Sequence, residues 1–215
     1  MSKKPDRACL KEFADACREI GHRGLARCSS GNFSLRIGDD RMLIKSSRAW
    51  LEEVTVDDIS ICRISDGTSL NGKKPSVEVG FHAGILRGRP DVNVVLHFQT
   101  PCATAVACTG RRQLNYFVTP EIPYYIGPVA QIPFLSPGSQ QLADAVVKSM
   151  MKHDMMQLVN HGQVTVGKDC RQAIQNACFF EMACEIILRT GFKAKPISPK
   201  AVRALGRNGA VPKAI

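Results

Sequence analysis

No two of the nine cysteines stand in a C-x-x-C spacing, so the chain offers no zinc-ribbon framework. Scattered over 215 residues, these thiols read as reduced rather than as a disulfide scaffold. Long hydrophobic runs are missing too. No stretch of about 18 apolar residues occurs, and the basic start Met1-Ser-Lys-Lys-Pro-Asp-Arg7 has no apolar segment behind it. Neither export nor membrane insertion is expected, and a cytoplasmic setting is. Aromatic residues are scarce, at 6% with one tryptophan, which leaves little surface on which bases could stack. Nucleic acid is therefore not an expected partner, even at a net charge of +10. Acidic residues are absent beyond position 192, where Lys193, Lys195, Lys200, Arg203, Arg207 and Lys213 supply six of the excess charges. The remaining body is only mildly basic, and the tail reads first as a solvated segment and second as an attractor for a phosphorylated substrate.

What is present has a globular balance, 44% hydrophobic and 22% charged, with no repeat or low-complexity tract. One domain over residues 1–215 is expected, with a basic tail from about 193. Leu10, Phe13, Ala14, Cys17 and Ile20 share one face of a helix over 6–20 that stops at Gly21 and Gly24. Short strands follow at Asn32–Arg36, Met42–Ile44 and Ile59–Ile64, the last leading into the hairpin signal Asp66-Gly67. Pro75-Ser76 opens a second helix with Ser76 as its cap, and the stretch Arg87 to Pro90 ends it. A buried strand from Val92 to His97, a small-residue helix from Pro101 to Thr109 and a strand at Val129–Pro133 come next. A helix over about 139–152 precedes strands at Met155–Val159 and Val164–Gly167. Asp169 then caps a long helix to Arg189 with Ala173, Ala177, Phe180, Cys184 and Ile187 inward. Without regular βαβ alternation, this order predicts an α/β fold in the loose sense, a central sheet covered by helices.

Side chains able to donate lone pairs cluster at strand ends. His97 closes one strand and Gln99 follows on the same face, because alternate strand residues point one way. His161, in the turn Asn160-His-Gly162, follows another buried strand, and three such groups suffice for a catalytic metal with one position open. Glu78 falls in the first turn of the second helix, where a carboxylate either stabilises the helix dipole or, facing a metal, acts as a general base. The run Ser29-Ser-Gly-Asn-Phe-Ser34 can shape a backbone nest for an anion, with hydroxyls from Ser46, Ser47 and Ser76 nearby. His82, one turn after Glu78, is expected to pack or orient, and His22 and His153 to serve neither role.

Six segments run in order along nearly the whole chain: Ser30-Gly-Asn-Phe-Ser34, Met42-Leu-Ile44, Lys74-Pro-Ser-Val-Glu78 with Phe81-His82, Arg89-Pro-Asp-Val-Asn-Val-Val-Leu-His97, Ser136-Pro-Gly-Ser139 and Asn160-His-Gly162. In this combination the sequence resembles the class II aldolase/adducin family, most closely its L-fuculose-1-phosphate aldolase branch. The resemblance implies a three-layer α/β/α fold around a mainly antiparallel nine-stranded sheet, and a homotetramer with active sites between subunits. It also implies a divalent metal, zinc, held by three histidines, and a glutamate that moves the substrate proton. By position, His97 and His161 match two metal ligands and Glu78 the catalytic acid/base, while Gly31, Asn32, Ser47 and Ser76 match the phosphate cradle. The implied reaction cleaves a ketose 1-phosphate to dihydroxyacetone phosphate and an aldehyde. The alternatives are a relative of the pentulose-phosphate epimerases and methylthioribulose-phosphate dehydratases, or a non-catalytic, adducin-like assembly module.

Three departures from the family pattern bear on the site. Gln99 stands where a further histidine ligand is usual, Val77 and Arg48 replace a hydroxyl and a glycine of the phosphate cradle, and the tail lacks a tyrosine. Arg48 can supply the anion with a compensating charge, and Tyr116, Tyr124 and Tyr125 are the remaining tyrosines for proton donation.

Overall fold

The computed structural model describes residues 5–111 and 114–207. Its helices are α1 (Arg7–His22), α2 (Val79–Gly88), α3 (Pro101–Cys108), α4 (Gln140–Met150), α5 (Cys170–Arg189) and α6 (Pro199–Arg207). Its strands are β1 (Asn32–Arg36), β2 (Arg41–Lys45), β3 (Ile59–Arg63), β4 (Val94–Phe98), β5 (Val129–Ile132), β6 (Met155–Leu158) and β7 (Gly162–Gly167). The strands form one sheet in the order β3-β2-β1-β4-β7-β6-β5. All neighbours pair antiparallel except β5 and β6.

Strand parity builds the three layers. Phe33, Leu43, Val94, Leu96 and Phe98 turn to one side and pack with α1, α3 and α5 around Phe13, Phe180 and Ile187. Met42, Ile44, Val95, Val164 and Val166 turn to the other and meet α2 and α4 through Phe81, Leu86, Leu142 and Val146. Phe13 and Phe33 stack across the first interface with ring centroids 5.3 Å apart, and burying one such side chain contributes about 1.5–3 kcal/mol. Helix starts are capped by side chains that accept from otherwise orphaned backbone N–H groups: Asp6 from Cys9, Ser139 from Leu142 and Asp169 from Gln172.

The sequence expectations need four corrections. The sheet has seven strands among the described residues, not nine, because the chain after β3 touches it only through isolated bridges, Cys62 with Ser69 and Ser46 with Pro75. That bridge also delays α2. The Ser76 N–H donates to the Lys45 carbonyl at 3.1 Å, so residues 75–76 extend beside β2 and the helix starts at Val79. Glu78 is consequently the N-cap residue rather than a member of the first turn, and Ser76 caps no helix. The tail expected from 193 is helical over Pro199–Arg207, with Val202 buried; residues 208–215, including Lys213, lie outside the described residues.

Candidate metal and substrate site

β1 and β4 pair so that Asn32 lies opposite His97. Parity points both away from the α1/α3/α5 core and towards the start of α2. Close approach here depends on Gly31, whose φ is +65° and whose missing Cβ would sit 2.9 Å from the His97 carbonyl oxygen and 2.8 Å from Ala26 Cβ. β7 flanks β4 on its other side, and the turn before it carries His161, preceded by Asn160 in the left-handed region at φ 56°. The ends of two strands and the first residue before a helix therefore meet at one point.

Three side chains converge there. Glu78, His97 and His161 each offer one ligand atom, all within 4.8 Å of one another. His97 Nε2 lies 3.5 Å from Glu78 Oε2, and His161 Nε2 lies 3.6 Å from Glu78 Oε1. The Nδ1–H of His97 donates to the Gln163 carbonyl at 2.8 Å, which leaves the Nε2 lone pair free to face the carboxylate. Burial, reinforced by the neighbouring His97, lowers the His161 pKa to about 4 against an opposing pull from Glu78, so this imidazole is neutral at physiological pH. Glu78 Oε1 and His161 Nδ1 are buried without a hydrogen-bond partner in the structure. The Nε2 atoms of His97 and His161, gathered within 4.8 Å beside the Glu78 carboxylate, suit a divalent cation. His97 and His161 can hold such an ion, with Glu78 beside it.

Nine of the residues singled out from the sequence line one cavity of about 400 Å³: Gly31, Asn32, Ser47, Arg48, Ser76, Glu78, His97, Gln99 and His161. Some of their side chains are otherwise engaged. Asn32 donates through Nδ2 to Glu78 Oε2 at 2.8 Å and accepts at Oδ1 from His82. The Ser76 hydroxyl accepts from the Glu78 N–H at 3.3 Å. Ser46 is not in the cavity lining, since its hydroxyl pairs with that of Ser60 at 3.0 Å. Arg48 holds φ at 66°, the conformation a glycine would favour, and its exposed guanidinium borders the cavity. None of the three tyrosines lines it. Tyr116 packs on Phe180 in the opposite layer, its pKa raised by burial, and Tyr124 and Tyr125 border a separate cavity.

Two contributors were not read from the sequence. Lys45, 2% exposed, lines the same cavity and donates from Nζ to the carbonyls of Ser29 at 3.1 Å and Ala49 at 2.7 Å. Burial lowers its pKa to about 8, partly offset by Cys17 and Glu78. The only sequence signal was a lysine closing the apolar run Met42-Leu-Ile44. The second is the bonding of His82, which is fully buried, with Nδ1 2.7 Å from the Ser34 hydroxyl and Nε2 2.5 Å from Asn32 Oδ1. Burial, with an electrostatic contribution from nearby His97, pushes its pKa well below the usual range.

The chain is 28% identical over 196 residues to the 3-oxo-tetronate 4-phosphate decarboxylase of Haemophilus influenzae, covering 89% of this chain and 93% of that protein. It is 31% identical over 164 residues to the L-fuculose phosphate aldolase of Methanococcus maripaludis, covering 76% and 87%. The crystal structure of YgbL from Klebsiella pneumoniae superposes with a TM-score of 0.85 at 25% identity, covering 94% of this chain and 100% of that one. Residues 11–188 match the Class II Aldolase and Adducin N-terminal domain, and the chain belongs to that family.

Proposed function

We propose that this protein is a metal-dependent lyase that decarboxylates a phosphorylated 3-oxo sugar acid of the 3-oxo-tetronate 4-phosphate type, releasing CO2 and dihydroxyacetone phosphate. The observation that carries the reading is the buried, unpartnered Oε1 of Glu78 facing His161, which puts a proton carrier beside the metal-binding imidazoles. A divalent ion held by His97 and His161, imidazole donors that suit zinc, would supply electrostatic stabilisation of the developing enediolate. As the bond between C1 and C2 breaks, its electron pair moves into the enediolate spanning C2 and C3. Glu78 then delivers a proton to C2. The cradle around Gly31 and Ser47, with Lys45 and Arg48, would hold the phosphate, and His97 and His161 fix the reacting end.

Aldol cleavage of a ketose 1-phosphate passes through the same enediolate and is the second reading, favoured by the similarity to the fuculose phosphate aldolase. It needs one more group, because a substrate hydroxyl must lose its proton as the aldehyde leaves. No tyrosine of this chain lines the cavity, whereas decarboxylation has no such requirement. Similarity over 93% of the decarboxylase's length points the same way. A cytoplasmic homotetramer, with a second subunit covering the exposed Val77 at the cavity, is part of this proposal.

Proton exchange into dihydroxyacetone phosphate in D2O, followed by NMR, tests the shared half-reaction. Exchange that a chelator stops and Glu78→Gln lowers by about 10²-fold or more is expected; exchange unaffected by both removes the mechanism. Release of CO2 from the 3-oxo acid phosphate, against aldehyde release from ketose 1-phosphates, then separates the two readings.

A further inference from the structure

Four buried side chains connect the floor of the sheet to the carboxylate. The Ser34 hydroxyl lies 2.7 Å from His82 Nδ1, His82 Nε2 lies 2.5 Å from Asn32 Oδ1, and Asn32 Nδ2 donates to Glu78 Oε2 at 2.8 Å. None of the four is more than 6% exposed. One pattern of donors satisfies every bond. If the Ser34 hydroxyl donates to Nδ1, His82 carries its proton on Nε2 and gives it to the Asn32 carbonyl oxygen. The Asn32 amide then has only its NH2 to turn towards Glu78 Oε2. That donation holds Oε2 and leaves Oε1 as the oxygen with no partner.

We infer that His82 is a positioning residue for catalysis: with Ser34 it fixes the Asn32 amide and thereby selects Oε1 of Glu78 as the proton-carrying oxygen. The inference rests on the proton-transfer role proposed for Glu78. Stacking of Phe81 on His82, with centroids 4.7 Å apart, restricts the ring from swinging out of the relay. With the His82 proton on Nδ1, the ring would present a lone pair to Asn32, the amide would turn over, and its carbonyl oxygen would face the carboxylate. Glu78 would then rotate away from the geometry that serves the substrate carbon.

The metal-loaded enzyme is incubated with dihydroxyacetone phosphate in D2O, with loss of the carbon-bound proton followed by NMR and metal content measured by elemental analysis. Wild-type enzyme that exchanges no proton ends the proposed function and this inference with it; the ratio of variant to wild type reads the inference alone. His82→Leu is expected to lower the exchange kcat by about 10²-fold, the scale of a small misplacement of a reacting group. KM and metal content should stay at wild-type values. His82→Gln, which keeps an N–H for Asn32 Oδ1, should recover most of that loss. A His82→Leu enzyme with wild-type kcat overturns the inference. If that variant does not fold, Ser34→Ala carries the test, with a lower kcat at unchanged KM expected and an unchanged kcat overturning it. Apart from turnover, ¹⁵N NMR of labelled histidine should find His82 protonated on Nε2; protonation on Nδ1 is equally fatal.

Discussion

Gly162 lies so near Gln99 that an added Cβ would stand 2.7 Å from Gln99 Cγ, 2.7 Å from the Phe98 carbonyl oxygen and 3.1 Å from His97 Cε1. The side chain of Gln99 is therefore folded over this glycine beside the His97 ring. An imidazole at position 99 would bring a stronger donor to the same edge of the cavity. Gln99→His is expected to tighten metal binding by roughly tenfold or more in a chelator competition, and unchanged affinity would place Gln99 outside the ligand set. Gly162→Ala should cost about 1–3 kcal/mol in unfolding free energy, because the backbone oxygen of Phe98 cannot yield as a flexible side chain would.

His97 is held by the sheet itself, through the Gln163 carbonyl on β7. Because that bond dedicates Nε2 to the site, His97→Ala should reduce metal per chain by at least about tenfold while the far-ultraviolet circular dichroism stays unchanged. Full metal retention would show that the ion binds elsewhere.

Arg48 offers a separation of charge from backbone strain. Its φ of 66° is left-handed, at a cost of about 1–2 kcal/mol for a residue with a Cβ. Arg48→Gly should remove the strain and raise Tm by about 2 °C, part of the gain being offset by the freer unfolded chain. The same change should weaken inorganic phosphate binding, measured by calorimetry. Wild-type phosphate affinity would exclude Arg48 from the anion site.

Lys45 gives a pH dependence with opposite signs for stability and binding. Its folded pKa of about 8 is below the ordinary 10.5, so the unfolded chain binds the extra proton between these values. The penalty of burying the charged amine is full below about pH 8 and is relieved as pH rises to 10.5. Binding follows the charge instead. KM for the phosphorylated substrate should climb as pH passes about 8, and Lys45→Met should flatten that rise. A wild-type KM constant between pH 7 and 10 would remove Lys45 from substrate recognition.

Much of this architecture was legible because local signals agreed with the tertiary demand. β1 spans the predicted Asn32–Arg36, and α5 runs from an Asp169 cap to Arg189 with the predicted inner face buried. The misreadings arose where long-range pairing outweighed local preference. Ser76 has the chemistry of an N-cap, but its N–H is drawn to the Lys45 carbonyl on the neighbouring strand, so Glu78 takes the terminal position. α6 went unseen because its buried contact comes from Val202 amid lysine and arginine, a pattern that reads as solvated tail. Lys45 went unseen for the reverse reason: a charged residue at a strand end predicts solvent, and only the loops at Ser29 and Ala49 supply the carbonyls that let it stay inside.

The opposition of Asn32 and His97 across two neighbouring strands carries a further consequence. On β1 and β4 alternate positions divide the labour around this pair, Asn32 and His97 turning to the site and Phe33, Leu96 and Phe98 to the α1/α3/α5 core. A single-residue insertion or deletion within either strand would exchange those sets, sending an imidazole or an amide into the greasy layer and a phenylalanine or leucine into the reaction chamber. Fold and chemistry thus share one alignment, and a lesion in either strand would harm both together.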